Sequence, residues 1–152
     1  DVHPLVAGRD LILGGHTVPF DLGLDGHSDG DVLTHAVIDA LLGAAALGDI
    51  GAHFPSSDPG NAGISSIVLL KRTVKKVREA GWKATFVDAT IVAQRPTLAP
   101  HMGHIRAGLA AGLSLDETQV NVKATTTDGL GFTGRGEGIA ALAVATLESA
   151  GA

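Results

Sequence analysis

Hydrophobic and polar residues follow one another along the chain in short segments that predict alternating strands and helices. Residues 10–20, DLILGGHTVPF, predict two short strands joined at a Gly14-Gly15 turn. After a polar, glycine-spaced loop over 23–32, a helix is predicted to begin between Asp29 and Asp31, whose carboxylates suit a helix N-terminus. This helix continues through residues 33–47, LTHAVIDALLGAAAL. Residues 48–63 are expected to be loop, and a second helix over about 64–80 should end at Gly81.

The second half of the chain predicts two further strands and one further helix. Residues 83–94, KATFVDATIVAQ, are rich in β-branched side chains, and residues 119–127, QVNVKATTT, alternate as a strand does. Between them, residues 95–113 predict a loop followed by a third helix, and a glycine-rich segment follows at 128–138. Residues 139–149, IAALAVATLES, fit either a helix or a strand. The mixture predicts an α/β chain, more closely a two-layer α+β fold, with helices on one face of a mixed sheet of about four to five strands.

Composition adds a prediction about assembly. The 152 residues suit a single domain, residues 1–152, and show neither an internal repeat nor a long linker. Hydrophobic residues make up 45% of the chain but aromatic residues only 3%, and 21 residues are glycine. Surfaces built from such small side chains can lie close together. We therefore expect an oligomer, in which neighbouring copies supply part of the burial.

Charge and hydropathy exclude several classes of partner. The net charge of −5 argues against nucleic acid, because a duplex or single strand is bound by a basic surface. The basic run KRTVKKVR at 71–78 has the spacing of a solvated helix face. The longest apolar stretch, 36–48, contains Asp39 and is too short to span a bilayer. No cysteine is present, so a metal ion must be bound by histidine or carboxylate ligands.

Three residues could together bind a metal ion. His35 lies inside the first predicted helix with Asp31 and Asp39 four residues away on either side, where a carboxylate could orient the imidazole. Asp1 and His3 would point to the same side of an extended segment. Asp1, His3 and His35 thus form a candidate set of three ligands with an open fourth position, as in catalytic zinc sites. A disordered chain end and an ordinary helical histidine remain the alternative.

The segment ATTTDGLGFTGRGEG at 124–138 is a second candidate site. Three hydroxyls, one carboxylate and several glycines at the end of a strand can supply donors to phosphate oxygens, and Asp128 could bind a second cation. Neither the P-loop nor the dinucleotide-binding fingerprint is present. A glycine-rich turn that only separates two strands is the alternative.

Five segments carry a resemblance to one enzyme family. They read DVH, HSDGDVLTHAVIDALLGAAALGDIG, FPSSDP, VDATIVAQRP and NVKATTTDGLGFTGRGEG. In order and spacing they are similar to the 2-C-methyl-D-erythritol 2,4-cyclodiphosphate synthase family of the non-mevalonate isoprenoid pathway, from Asp1 to the last residues. Members of that family carry a short strand before this aspartate, so residues preceding Asp1 are expected.

The resemblance implies roles for individual residues. Zn²⁺ would be bound by Asp1, His3 and His35, and Mg²⁺ or Mn²⁺ on the substrate diphosphate by Asp128. His27 and Thr126 would stabilise the transition state. Residues implied to contact the substrate are Asp1, His3, His27, Ser28, Asp49, Ile50, Gly51, Phe54, Pro55, Ser56, Ser57, Asp58, Ala93, Pro96, Thr125, Thr126, Thr127, Asp128, Phe132 and Arg135. Phe132, Arg135 and Glu137 fall where the family packs three subunits about a shared axis.

Three positions depart from the family pattern. Asp128 stands where glutamate is more usual, Ser56 replaces a carboxylate, and no lysine lies near Thr97. These departures bear on the second metal, on the methylerythritol contact and on a phosphate contact, respectively.

The implied reaction converts 4-diphosphocytidyl-2-C-methyl-D-erythritol 2-phosphate to the cyclic 2,4-diphosphate and releases CMP. The implied enzyme is a homotrimer with active sites between subunits, expected in the bacterial cytoplasm, or in the plastid stroma if a transit peptide was removed. Two rival functions are a trimeric binding protein without turnover and a metal phosphohydrolase that uses water. The chain offers no residue that looks like a dedicated base for water, which favours the synthase.

Overall fold

The computed structural model, which describes residues 1–151, contains one five-stranded sheet and one separate hairpin. The strands are β1 (Val2–Val6), β2 (Leu11–Leu13), β3 (His16–Val18), β4 (Gly23–Leu24), β5 (Trp82–Val92), β6 (Val120–Thr125) and β7 (Gly138–Ser149). The sheet order is β4-β1-β7-β5-β6, and β2 and β3 form the hairpin. Only β5 and β6 pair in parallel; the other pairs are antiparallel, so the sheet is mixed as predicted.

Three helices of twelve to fourteen residues pack on this sheet, and two short ones lie in loops. They are α1 (Val32–Ala44), α2 (Ile50–His53), α3 (Ser66–Glu79), α4 (Met102–Leu113) and α5 (Gly131–Gly134). Single 3₁₀ turns cover Pro59–Asn61, Ala99–His101 and Glu117–Gln119. The core lies between the long helices and one face of the sheet, where Val87, Ala89 and Ile91 of β5 are buried. The three long predicted helices are therefore confirmed.

The opposite face of the sheet is apolar and exposed in the single chain. Along β5 and β7 the side chains alternate between the two faces. The outward face presents Phe86, Leu142 and Val144, whose side chains are between 56% and 67% exposed, and Val2 of the neighbouring β1 is 53% exposed. An apolar patch that extends over three strands is typical of a protein–protein interface.

Residues 139–149 form a strand, although their alanines also suited a helix. β7 runs between β1 and β5 and pairs with both, so its backbone groups are satisfied from two sides. This pairing outweighs the helix propensity of alanine. The segments predicted as loops at 23–32, 48–63 and 128–138 also contain β4, α2 and α5, which are too short to leave a periodic pattern.

Asp31 joins the β2–β3 hairpin to helix α1. Its carboxylate caps α1 by accepting hydrogen bonds from the backbone N–H and the hydroxyl of Thr34, and it also accepts from the N–H groups of Gly14 and Gly15 in the hairpin turn. Burial raises the pKa of Asp31, and the N–H donors of Thr34 and Gly15 oppose that rise. The predicted hairpin and the predicted helix start are thus held by one side chain. Within residues 1–151 none of the helices combines the length and the apolar character needed to cross a membrane.

Candidate metal centre and ligand cavities

The side chains of Asp1, His3 and His35 meet at one point, as the sequence predicted. Nε2 of His3 lies 2.8 Å from Oδ2 of Asp1, Nδ1 of His35 lies 3.1 Å from the same oxygen, and the two nitrogens are 3.1 Å apart. Asp1 and His3 come from the start of the chain and from β1, whereas His35 is buried in the first turns of α1. The backbone N–H of Ala141 on β7 donates to the carbonyl oxygen of Asp1, which holds Asp1 beside the sheet.

The ring of His3 is oriented by the loop after β4. Its Nδ1 is 2.6 Å from the carbonyl oxygen of Asp25, so Nδ1 carries the proton and donates, while Nε2 presents a lone pair to the other two groups. Gly26 leaves space for this ring, because a Cβ there would lie 3.0 Å from its Cε1 and Nδ1 atoms.

The ring of His35 is oriented by hydroxyl groups. Its Nε2 is 2.7 Å from Oγ of Ser66 and 3.0 Å from Oγ of Ser28, and the hydroxyl of Ser66 donates in turn to Asp29. This order of donors makes Nε2–H the protonated position and leaves Nδ1 free. The prediction that Asp31 or Asp39 orients His35 is wrong.

Both aspartates are used by backbone donors instead. Asp31 caps α1, and Asp39 accepts a hydrogen bond from the backbone N–H of Ile50 at 2.7 Å. Their i ± 4 spacing from His35 places them on the same side of the helix, but the carboxylates accept from the backbone N–H groups of Gly14, Gly15 and Ile50 instead.

The donor set fits a metal ion. Two imidazole lone pairs and one carboxylate oxygen face one another, and no proton is placed between the two nitrogens, so a cation at the centre removes their mutual repulsion. Ligands about 2.0–2.1 Å from a tetrahedral ion are separated by about 3.3 Å, close to the observed separations. Burial lowers the pKa of His3 and also that of His35, where protonated His3 would act in the same direction. Both imidazoles are therefore held in the neutral, ligating form.

A cavity of about 240 Å³ opens at the three ligands. It is further lined by His27, Ser28, Ile50, Gly51, Phe54, Ser56, Asn61 and Leu69. His27 is exposed and its Nε2 lies 3.3 Å from the carbonyl oxygen of Asp58. Six of the predicted substrate contacts, in addition to Asp1 and His3, therefore share one cavity with the metal ligands.

Two carboxylates among the predicted substrate contacts, those of Asp49 and Asp58, cap short helical segments. Asp49 caps α2 by accepting from the N–H of Ala52, and Asp58 caps the Pro59–Asn61 turn by accepting from the N–H of Gly60. Both side chains are exposed, as are the nearby Pro55 and Ser57. None of the four residues lines the cavity itself.

A separate cavity of about 460 Å³ lies at the ends of β5 and β6. It is lined by Ala93, Gln94, Pro96, Thr97, Leu98, Ala99, Met102, Val122, Lys123, Ala124, Thr125 and Thr126. It contains Ala93 and Pro96, which the family resemblance implied to contact the substrate, and also Thr125 and Thr126, the first two threonines of the glycine-rich segment. No described residue lines both cavities. The predicted substrate site is thus divided into two parts within one chain.

The glycine-rich segment is attached to this second cavity. The N–H of Gly129 donates to Oε1 of Gln94, and Oγ1 of Thr126 is 3.4 Å from Oδ1 of Asp128. Asp128 has a left-handed backbone with φ of +54°, and its carboxylate is exposed. Thr127 turns inward instead, where it contacts the hydroxyl of Thr133 and donates to the carbonyl oxygen of Leu130. The arrangement leaves Thr126 and Asp128 available to a ligand.

Phe132 in α5 and Arg135 and Glu137 in the segment between α5 and β7 lie on the surface. Arg135 donates to Glu137 at 3.0 Å, and all three side chains are exposed in the single chain. The structure brings none of them to either cavity.

Sequence reasoning did not predict several residues that build the site. Asp25 and Ser66 orient the two histidines, Asp29 orients Ser66, and Asn61 and Met102 line the two cavities. Asp29 lies in HSDGD, the start of one of the segments that carry the family resemblance, but its partner Ser66 lies 37 residues away. The other four carry no pattern that distinguishes them from ordinary loop and helix residues.

Comparisons with known proteins agree on one family. A model of the YgbB family matches residues 1–148. The 2-C-methyl-D-erythritol 2,4-cyclodiphosphate synthase of Bordetella petrii is 58% identical over 150 residues, which is 99% of this chain and 93% of that protein. A solved 2C-methyl-D-erythritol-2,4-cyclodiphosphate synthase in its CDP-bound form superimposes with a TM-score of 0.89 at 35% identity, covering 97% of this chain and 96% of that one. The bifunctional IspDF of Campylobacter jejuni gives 0.94 at 44% identity, and 98% of this chain spans 40% of that longer protein.

Proposed function

The chain belongs to the YgbB family, and on that premise we propose that it is a 2-C-methyl-D-erythritol 2,4-cyclodiphosphate synthase. Its substrate would be 4-diphosphocytidyl-2-C-methyl-D-erythritol 2-phosphate, and its products the cyclic diphosphate and CMP. The observation that carries the proposal is the convergence of Asp1, His3 and His35 at the edge of a cavity that also contains His27 and Ser28. The CDP-bound relative supports a cytidyl diphosphate as the ligand.

The metal at the three ligands would be Zn²⁺. Two neutral imidazoles and one carboxylate form a donor set that suits this ion and leaves a fourth position open. When bound, the ion would act as a Lewis acid on a phosphate oxygen. Ser66 and the carbonyl of Asp25 would hold the two rings so that their free nitrogens stay directed at one point.

The reaction requires no nucleophile from the protein. The 2-phosphate oxygen of the substrate attacks the β-phosphorus, a new P–O bond forms, and the bond between the β-phosphorus and the oxygen of CMP breaks. The protein must bend a flexible polyanion into this pose and stabilise charge on the transferred phosphoryl group. His27 is exposed in the cavity at Asp1, His3 and His35, which we call the metal-side cavity, and Thr126 is exposed in the other cavity. Both side chains would donate hydrogen bonds to phosphate oxygens.

Asp128 would hold Mg²⁺ or Mn²⁺ on the substrate diphosphate. Its exposed carboxylate lies beside Thr126, and oxygen ligands suit these ions. A hydroxyl at Ser56 and the lack of lysine at the sequence positions around Thr97 would shift part of substrate binding to the metals and to backbone groups.

A homotrimer would complete the active site. The metal-side cavity and the Ala93–Thr126 cavity share no residue, so one chain offers two half-sites that a neighbouring copy could join. The exposed apolar face formed by Val2, Phe86, Leu142 and Val144 supplies the surface for such packing. Phe132, Arg135 and Glu137 would lie about the shared axis, as the family resemblance implies. The cellular site would be the bacterial cytoplasm, or the plastid stroma after removal of a transit peptide.

The test is a product assay on the purified protein with the cytidyl-diphosphate substrate, Zn²⁺ and Mg²⁺. We expect CMP and the cyclic diphosphate in equal amounts, separated by chromatography. Equal amounts of CMP and a linear product would instead identify a phosphohydrolase. A folded, zinc-loaded protein that binds the substrate and releases no CMP would be a binding protein, and would refute the synthase.

A further inference from the structure

Three histidines outside the proposed active site form a second cluster. His16 lies in β3, His101 ends the 3₁₀ turn Ala99–His101, and His104 lies in the first turn of α4. Nε2 of His16 is 3.1 Å from Nδ1 of His101. The ring of His104 stacks on that of His16, with centroids 5.0 Å apart and 12° between the ring planes. Two of the three imidazoles thus direct a nitrogen at each other, and the third is in contact.

The pair formed by His16 and His101 has nearly the same separations as the histidine pair in the metal centre, although its ring planes are inclined by 37° instead of 60°. There, the ligating nitrogens of His3 and His35 are 3.1 Å apart and the ring centroids 5.1 Å apart. For His16 and His101 the corresponding separations are 3.1 Å and 5.3 Å. Two imidazoles bound to one ion at about 2.0–2.1 Å have this spacing. The same chain therefore presents the arrangement twice, in unrelated places.

The backbone under the cluster is fixed by close packing. A Cβ at Gly108 would lie 2.1 Å from the carbonyl oxygen of Gly14, so the glycine allows α4 to contact the β2–β3 turn directly. Asp31 holds the same turn from the other side through the N–H groups of Gly14 and Gly15. His16 is consequently held beside α4 by rigid elements, which favours a preformed site.

We propose that His16, His101 and His104 form a second metal site, which takes a late first-row divalent cation such as Zn²⁺, Ni²⁺ or Cu²⁺. His16 and His101 supply the first two nitrogens, and the exposed side chain of His104 supplies the third after a rotamer change. His101 and His104 are three residues apart, a spacing that directs two side chains to one side of a helical segment. A donor set of imidazoles alone selects these ions over Mg²⁺ and Ca²⁺, which prefer oxygen.

The surroundings leave a position for water or an exogenous ligand on the ion. His16 and His104 line one side of an open groove of about 450 Å³, whose other side is formed by Ser65 and Ile67 of the α3 start. Burial, and the positive charge that His104 or His101 would carry when protonated, lower the pKa of His16. Its imidazole is therefore neutral at pH 7, with one nitrogen free to bind. The site shares no residue with the proposed active site and does not depend on that function.

Zinc stoichiometry on the 152-residue chain tests the site. Equilibrium dialysis against micromolar Zn²⁺ at pH 7.5 should give two ions per chain for the wild-type protein. His16→Ala and His104→Ala should each bind the second ion at least tenfold more weakly and keep the first. His53→Ala, which removes a histidine whose Nε2 donates to the carbonyl of Leu47, should keep two. Wild-type protein that binds one ion, or a second ion of unchanged affinity in both variants, would overturn the proposal.

A spectroscopic probe identifies the ligands independently of stoichiometry. Cu²⁺ added to protein that holds one equivalent of Zn²⁺ at Asp1, His3 and His35 should give an electron paramagnetic resonance spectrum with coupling to three nitrogens, reduced to two in His104→Gln. His104 is exposed, so this variant should fold, which circular dichroism can verify. A spectrum without nitrogen coupling would show that His16 and His101 only share a hydrogen bond, and the proposal would fail.

Discussion

Nε2 of His3 lies 3.1 Å from Nδ1 of His35, although 32 residues separate them in the chain. Their contact requires that β1 is already paired with β7 and that α1 is docked on the sheet. The metal centre therefore exists only in the folded protein. An ion that binds only this state stabilises it by mass action, so removal of the metal should lower the unfolding temperature.

Replacing His35 by alanine should abolish tight zinc binding at the Asp1–His3–His35 site. Two ligands remain, both from the start of the chain, and the ligand contributed by α1 is lost. After dialysis against metal-free buffer we expect the bound zinc to be lower than in the wild-type protein by about one equivalent, because two ligands do not retain the ion. Elemental analysis of the dialysed protein checks this, with His53→Ala as the control. A zinc content equal to that of the wild-type protein would refute the three-ligand assignment.

Ser66→Ala should weaken zinc binding without removing a ligand. Oγ of Ser66 accepts a hydrogen bond from Nε2–H of His35, and the Ser66 hydroxyl donates to Asp29. Loss of this hydroxyl therefore frees the imidazole to rotate and to change tautomer. Loss of such a partner typically costs about 10–100-fold in metal affinity. Competition with a chromophoric chelator measures the change.

Ser65→Ala is the matched control for this variant. Ser65 occupies the adjacent position at the start of α3, is exposed, and makes no side-chain capping hydrogen bond. Equal affinities for the two variants would show that the hydroxyl of Ser66 does not position His35.

The proposed metal ligands were easier to predict from the sequence than the residues that position them. Asp1, His3 and His35 could be predicted because histidine and carboxylate side chains with alternating or helical spacing are chemically distinctive. Ser66 and Asp25 could not, since a serine at a helix start and a backbone carbonyl look the same in every sequence. Asp31 and Asp39 illustrate the opposite error. Helical spacing placed both on the same side of α1 as His35, but their carboxylates accept hydrogen bonds from Gly14 in the hairpin turn and from Ile50, respectively.

Elements with a clear pattern in their own residues were predicted, whereas the residues of β7 fitted a helix as well as a strand. The apolar spacing of α1 and α3 is contained in their own residues, whereas β7 is a strand because β1 and β5 flank it. The two-cavity arrangement is likewise a property of three dimensions. No pattern in the sequence predicts that Ser28 and Thr126 line different cavities.

Asp31→Asn should destabilise the fold more than any exposed aspartate does. The carboxylate is fully buried and accepts from three backbone N–H groups and one hydroxyl. An amide replaces one accepting oxygen by a donor, which leaves N–H groups at the hairpin turn or at the helix start without an acceptor. The expected loss is about 2–4 kcal/mol in the free energy of unfolding, from about 1–3 for each buried group left unsatisfied.

Urea unfolding measures this loss, and Asp10→Asn on the exposed surface is the control. A loss below about 0.5 kcal/mol, the range of ordinary surface substitutions, would show that the hairpin and α1 do not depend on this carboxylate.

Val144→Lys should convert the proposed trimer to monomers. Val144 is 67% exposed at the centre of the outward sheet face, and a lysine there would place a charge in an apolar interface. Light scattering after gel filtration should then give the mass of one 15.3 kDa chain. Val68→Lys makes the same change at a 39% exposed valine on α3, on the helical side of the molecule, and should remain trimeric. Identical masses for the two variants would exclude the sheet face as the interface.

Mixing two inactive variants should restore activity if each active site joins two chains. His35→Ala disables the metal-side cavity, and Thr126→Ala removes a donor in the other cavity, which alone typically costs about 10²–10³-fold in rate. A mixed trimer places the intact metal side of a Thr126→Ala chain against the intact threonine of a His35→Ala neighbour. Random mixing at equal amounts should restore about a quarter of the sites, since each head-to-tail interface is filled independently.

Mixing His35→Ala with His3→Ala damages the same half-site twice and should restore nothing. CMP release by the first mixture at the level of either variant alone would mean that each chain carries its own complete site, and the division into two cavities would then have no catalytic meaning.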